Sequence, residues 1–157
     1  MLLNLFGKKN RFVHDHGQFS GWVIFNSQFI YDFVSDYLSY GSYKTKTVQL
    51  KKSVSEYSKE FLEGFFLGLM LSDGHLGDKF SYQTISEDLA RNFLDLMRYF
   101  GFKPYLSTAK RAKYGWNDLH CIFLNRKHIG RAEAILCAIL SKTFYDKTFR
   151  ELKGIFR

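Results

Sequence analysis

This chain of 157 residues has a single proline, two cysteines, and fewer acidic than basic residues, 15 against 23. Each shortage excludes something. With one proline, no proline-rich linker divides the chain. Cys121 and Cys137 are too few for a disulfide framework or a metal quartet, and both read as buried free thiols. The longest apolar run, Phe65 to Leu71, falls far short of the roughly 18 residues that a membrane-spanning helix needs. No membrane association is expected. The start, Met-Leu-Leu-Asn-Leu-Phe-Gly-Lys-Lys, carries its charges after a very short apolar segment, so no signal peptide is expected either. The acidic shortage leaves a net charge of +8, which favours a polyanionic partner.

What is abundant is aromatic: 17 Phe and 10 Tyr, alongside much Lys and Ser. These residues share A/T-rich codons, which points to an AT-rich genome, organellar or phage. The expected setting is intracellular, with mitochondrion or chloroplast the organelle. The length suffices for one domain with a real core, or one domain plus an extension.

The most informative segment is Phe61-Leu-Glu-Gly-Phe-Phe-Leu-Gly-Leu-Met-Leu-Ser-Asp-Gly74. Its small residues Gly64, Gly68 and Ser72 recur every four positions and fall on one helix face. Interior glycines each cost a helix about 1 kcal/mol relative to alanine, so their use here suits close approach of another backbone. The run ends in Asp73, where a carboxylate meets the partly negative C-terminus of a helix. Two such ends side by side would gather carboxylates and free carbonyls, a cluster that a hard divalent cation stabilises.

Caps and periodicity place the elements. Ser27 opens a helix bearing Ile30, Phe33, Val34, Tyr37 and Leu38, with Gly41 beyond its end. Ser53-Val-Ser-Glu56 reads as a capping box opening the Gly64/Gly68 helix. Ser86, followed by Glu87 and Asp88, opens a third helix with Leu89, Phe93, Leu96, Met97 and Phe100 inward. Asn125 precedes a fourth, burying Ile129, Ala132, Leu136 and Ile139 or Leu140. Strands are expected at Trp22–Phe25, Phe80–Ile85, Tyr105–Lys110 and Leu119–Leu124, with a short one at His75–Asp78. Arg111-Ala-Lys-Tyr-Gly-Trp-Asn117 is then a hairpin tip.

Part of the pattern occurs twice. Leu5-Phe-Gly-Lys8, a basic stretch, Trp22-Val-Ile-Phe-Asn26 and a helix parallel Tyr99-Phe-Gly-Phe-Lys103, a basic stretch, His120-Cys-Ile-Phe-Leu-Asn125 and a helix. Lys/Thr/Tyr-rich turns follow both, at Tyr43–Thr47 and Lys142–Thr148. Residues 1–52 therefore read as a half-repeat without a motif helix, and 53–157 as the complete domain.

Phe66-Leu-Gly-Leu-Met-Leu-Ser-Asp-Gly74 resembles the LAGLIDADG motif of homing endonucleases. Leu71 replaces the motif's first aspartate and Ser72 stands for its alanine. The resemblance implies an α+β fold: an αββαββα unit with a curved antiparallel sheet, here preceded by the partial repeat. It implies a site-specific double-stranded DNA endonuclease in which two motif helices pair, with one-motif chains acting as homodimers. Asp73 and the Gly74 backbone would hold Mg²⁺ over the scissile phosphates. The family's polar strand residue would be Gln83 or Ser86. Its lysine after the last helix would be Lys142, with Lys44 or Lys46 as the half-repeat equivalents.

On the first paired strand, alternation sets Lys79, Ser81 and Gln83 on one face and Phe80, Tyr82 and Thr84 on the other. Lys103, Lys110, Arg111, Lys113, Tyr114 and Asn117 gather at the second hairpin. Such residues read base edges or hold phosphates, and the sequence leaves open which does which. The first hairpin, between Gly74 and Ser86, is short. The half-repeat lacks a motif helix, so an alternative stands beside the enzyme: a catalytically inactive RNA-binding descendant, an intron maturase or a component of an organellar ribosome. A transcription regulator is a weaker third, since no helix-turn-helix is evident. His14-Asp-His16 reads as a solvated loop rather than a metal pair.

Overall fold

The computed structural model describes residues 11–14, 21–24 and 28–143. The chain divides into two compact units, Met1–Leu38 and Ser39–Arg157. In the first, β1 (Arg11–His14) and β2 (Gly21–Ile24) pair antiparallel, with Phe12 opposite Val23. Helix α1 (Gln28–Tyr37) follows. The expected strand and helix are therefore present, although Ser27, Asp15, His16 and Leu5–Lys8 lie outside the described residues. A two-residue strand, β3 (Leu38–Ser39), spans the division between the units.

The second unit begins with a short helix α2 (Lys44–Thr47) and β4 (Gln49–Leu50). The order then runs α3 (Lys59–Asp73), β5 (Gly74–Leu76), β6 (Phe80–Thr84), α4 (Glu87–Tyr99), β7 (Tyr105–Ala109), β8 (Leu119–Phe123) and α5 (Ile129–Thr143). From α3 onwards this is helix, two strands, helix, two strands, helix. The four strands form one antiparallel sheet in the order β5-β6-β8-β7. The class is α+β. Strand β7 is an edge, and Pro104 immediately precedes it.

The division falls at Leu38/Ser39 rather than at 52/53, for a local reason. The Ser86 hydroxyl donates to the Val48 carbonyl at 2.8 Å, the Leu50 N–H donates to Asn92 Oδ1 at 2.8 Å, and the Leu50 side chain is buried. These contacts tie residues 48–50 to α4.

The capping box also does a different job from the one expected. Its Ser53 N–H donates to Glu56 Oε1 at 2.8 Å, but it closes a single 3₁₀ turn, Val54–Glu56. Helix α3 opens later, where Ser58 Oγ accepts from the Phe61 N–H at 3.2 Å. Helix α4 starts as expected, with Ser86 Oγ accepting from Leu89 N–H at 3.1 Å. It ends at Gly101, whose φ of +76° is a left-handed conformation that glycine adopts without strain. Arg131 of α5 crosses to that end and donates to the Phe100 carbonyl at 3.0 Å, a cation at a helix C-terminus.

Helices α3 and α4 pack on one face of the sheet, and the core there is aromatic. Phe66 of α3 meets Phe80, Phe93 and Phe100 at centroid distances of 6.4, 6.0 and 5.3 Å. Tyr82 lies 4.4 Å from Phe93. Leu62, Met70, Leu96, Met97, Ile122 and Leu136 complete it, all fully buried. This packing accounts for much of the Phe enrichment, since each large ring removes roughly 150–250 Å² from water. Among the described residues, no helix is long and apolar enough to cross a membrane.

Candidate functional site

Helix α3 runs straight into β5, so Asp73 is the last helical residue and Gly74 the first of the strand. The junction needs glycine for steric reasons. A Cβ on Gly74 would sit 2.5 Å from the Met70 carbonyl oxygen and 2.6 Å from Met70 Cα, a backbone collision. Asp73 itself is exposed, and among the described residues no hydrogen bond or ion pair occupies its carboxylate.

Asp73 lies on the wall of an open cleft of about 520 Å³. Thr45, Val48, Leu69, Tyr82, Gln83, Thr84, Ile85, Leu89 and Leu119 form the rest of the wall. Two of the residues selected from sequence, Asp73 and Gln83, are thus brought together. The chemistry is that of one carboxylate among an amide and three hydroxyls, over an apolar floor. Burial pushes the Tyr82 hydroxyl up to about 12, and the nearby Asp73 charge adds to the shift, while a bond with Thr84 opposes it. Tyr82 therefore remains a neutral phenol at any physiological pH. Ser86, the other strand-end candidate, is buried and capped into α4, out of play for a ligand.

Lys142 does not join the cleft. Its ammonium donates to both Glu63 oxygens, at 3.3 and 3.2 Å, joining the end of α5 to the first half of α3. Beside α3 and α4, the short helix α2 also lines the cleft, through Thr45, which stands between Lys44 and Lys46 in the sequence. Lys46 Nζ lies 5.3 Å from the Tyr43 ring centre. His75 is engaged beside the site: its Nε2 lies 3.2 Å from Asp78 Oδ1 and holds that carboxyl below the usual range. Of the second Lys/Thr/Tyr-rich turn, residues 144–148 lie outside the described residues.

The small-residue face of α3 is left uncovered by the described residues. A Cβ on Gly64 or Gly68 would meet nothing within 4 Å among the described residues, and Ser72 is exposed on the same face. Leu71, 43 % exposed, stands beside it. The close backbone approach that the glycines permit is not used by the described parts of the chain.

Across the sheet, register puts His75, Ser81, Phe123 and Tyr105 in one row of the face away from the helices, and Gln83, Cys121 and Ser107 in the next. Phe80 and Tyr82 are buried on the helix side, as alternation predicts, and Gln83 is exposed. Ser81 departs from its expected role: it is only 2 % exposed, because alternation gives a face but not what lies over it. Lys79, Lys103, Lys110, Lys113, Tyr114 and Asn117 are exposed and Arg111 is half-buried. Lys110 pairs with Asp118, lowering that carboxyl. Sequence reasoning passed over Tyr105, Ser107, Cys121 and Trp116. The first three share the parity of Gln83 through the register, and Trp116 stands in the tip already singled out as basic. Burial pushes the Cys121 thiol up, against the pull of Arg111.

Among the described residues, no three His, Cys, Asp or Glu side chains group as a metal site. Asp73 stands there as a single carboxylate at a helix end, without a hydrogen-bond or ion-pair partner among the described residues. No family model matches this chain, and no curated protein or solved structure matches it.

Proposed function

We propose that this chain is a single-motif endonuclease of the LAGLIDADG type, cutting double-stranded DNA as a homodimer in an intracellular, organellar setting. The observation that carries the reading is Asp73: an exposed carboxylate, unpaired among the described residues, at the end of a helix whose small-residue face they leave uncovered. Pairing two copies along Gly64, Gly68 and Ser72 would bring two such carboxylates and the adjoining Gly74 backbone together. That donor set is hard oxygen, which suits Mg²⁺. When bound, the ion would polarise a phosphate and acidify a water.

The chain's own residues divide the remaining work. Gln83, on the cleft wall with Asp73, donates its amide N–H to a phosphate oxygen or a water. Lys79, Lys103 and Lys113 hold the backbone of the duplex, with Lys110 and Arg111 beside them, and Asn117 faces base edges from the hairpin. A lysine of α2, Lys44 or Lys46, suits the charge-stabilising role better than Lys142, which Glu63 holds.

That same Lys142–Glu63 pair, together with the three-residue β5, favours the second reading of an inactive RNA-binding descendant, whether maturase or ribosomal component. Incubating the chain with a randomised duplex library and Mg²⁺, beside Asp73→Asn, separates the two. Metal-dependent double-strand cuts lost in the variant are expected. Folded protein that cuts nothing, with Mn²⁺ as well, overturns the endonuclease reading, and the RNA that copurifies becomes the object.

A further inference from the structure

The tip of the β7–β8 hairpin adds to the candidate contact Tyr114 a second exposed ring, Trp116. Tyr114 and Trp116 are 61 % and 63 % exposed, with ring centres 5.9 Å apart and planes inclined by 45°. Each has a cation at its ring: Lys113 Nζ lies 4.8 Å from the Tyr114 centre and Arg111 Cζ 5.6 Å from the Trp116 centre. Large rings left in water at a loop end are unfavourable unless something covers them.

The tip holds its shape from within. A 3₁₀ turn at Ala112–Tyr114 ends at Gly115 with φ +70°. Arg111 Nε donates to the Asn117 carbonyl at 2.9 Å, and the Arg111 N–H donates to Asp118 Oδ1 at 3.3 Å. The rings are therefore presented on a closed scaffold, which limits the entropy lost on binding.

We infer that Tyr114 and Trp116 form a stacking platform for unpaired nucleobases, with Lys113 and Arg111 meeting the adjoining phosphates. The inference deepens the nucleic-acid reading above and rests on it. Three features select this partner. The tip has no Leu, Ile, Val or Met to enter a lipid phase or a protein pocket. Its charge is positive, with Lys110, Arg111 and Lys113 against Asp118 alone. A base within a duplex is already stacked on both sides, so only an unpaired one, in a bulge, a loop or a single strand, offers a face to these rings.

The test uses the full chain carrying Trp22→Phe, which leaves Trp116 as the single tryptophan reporter. It is titrated with a short single strand, the blunt duplex of the same sequence and that duplex with one bulged nucleotide, as DNA and as RNA. Quenching of Trp116 by the single strand and the bulge is expected, and the DNA and RNA arms identify the strand. Read by the anisotropy of end-labelled oligonucleotides, which needs no tryptophan, Tyr114→Ala and Trp116→Ala should each weaken the single-strand and bulge complexes about tenfold, and blunt duplex by less than about twofold. Trp116→Phe, which keeps an aromatic face, should retain most of the affinity. Tight binding of blunt duplex with no preference for unpaired bases overturns the platform alone. Failure to bind any nucleic acid overturns both the platform and the reading beneath it. Quenching by anionic phospholipid vesicles but by no oligonucleotide assigns the tip to a membrane surface and likewise overturns the inference.

Discussion

At the residue scale, neighbours can answer to different forces. Gly74 is fixed by the Met70 backbone, whereas nothing in the described chain holds Asp73. Gly74→Ala should therefore lose about 1–3 kcal/mol of stability in denaturant unfolding, as overpacked sites do. Asp73→Asn should shift stability by no more than about 0.5 kcal/mol while abolishing any cleavage. An equal loss from both variants would remove Asp73 from the list of purely functional residues. Tyr82 gives a pH signature. Its proton is held more tightly in the folded chain, at about 12 against 10.0, so its contribution is fully present below pH 10. It is lost as pH rises through 12, a drop of roughly 3 kcal/mol. Tyr82→Phe should remove that component of the alkaline decline in a pH series of melts. A variant with the same alkaline slope as the parent would deny the shift.

At the scale of elements, α3 offers a test whose sign is informative. Among the described residues nothing lies within 4 Å of a Cβ on Gly64, inside a helix, so Gly64→Ala should raise the stability of the isolated chain by about 0.5–1 kcal/mol. If the face packs against a second copy, the added methyl must also weaken self-association, read by sedimentation over a concentration series. A stabilised chain whose association is unchanged would clear this face of the role. Elements were legible in the sequence where two independent signals agreed. Helix α4 has the Ser86 cap, an amphipathic stripe and Gly101. Strands β6 and β8 have alternation bounded by polar turns, and all three fall within a residue or two of expectation. The start of α3 was not legible, because Ser53 and Ser58 are both good caps and only packing decides which turn continues. The partner of Lys142 was likewise hidden: sequence places it at a helix end, but Glu63 is 79 positions away and meets it only through the α3–α5 packing. The placement of Asp73 and Gln83 on one cleft wall follows from the elements that carry them, α3 and β6, both well signalled in the sequence.

At the scale of the whole molecule, the boundary between the two units can be checked by truncation. A fragment of residues 39–157 keeps the Ser86–Val48 and Leu50–Asn92 bonds, whereas 53–157 loses both and exposes Asn92 and the Leu50 site. The longer fragment should unfold cooperatively, and the shorter should be less stable by roughly 3–8 kcal/mol, one buried leucine plus two hydrogen bonds. Equal midpoints for the two would place the boundary at 52/53 after all. The net charge of +8 acts at this scale too, keeping copies apart at low salt and less so as screening grows.

That gradient bears on the outer side of β7, whose backbone donors and acceptors on that side have no strand of this sheet to pair with. The chain spends its single proline at position 104, where a missing N–H costs no ladder bond and blocks growth of the strand by a residue. With Lys103 before it and Lys110 after the strand, Pro104 takes one backbone donor from the entry to β7 and leaves charge at both ends of that edge, features that discourage a second copy from adding a strand there.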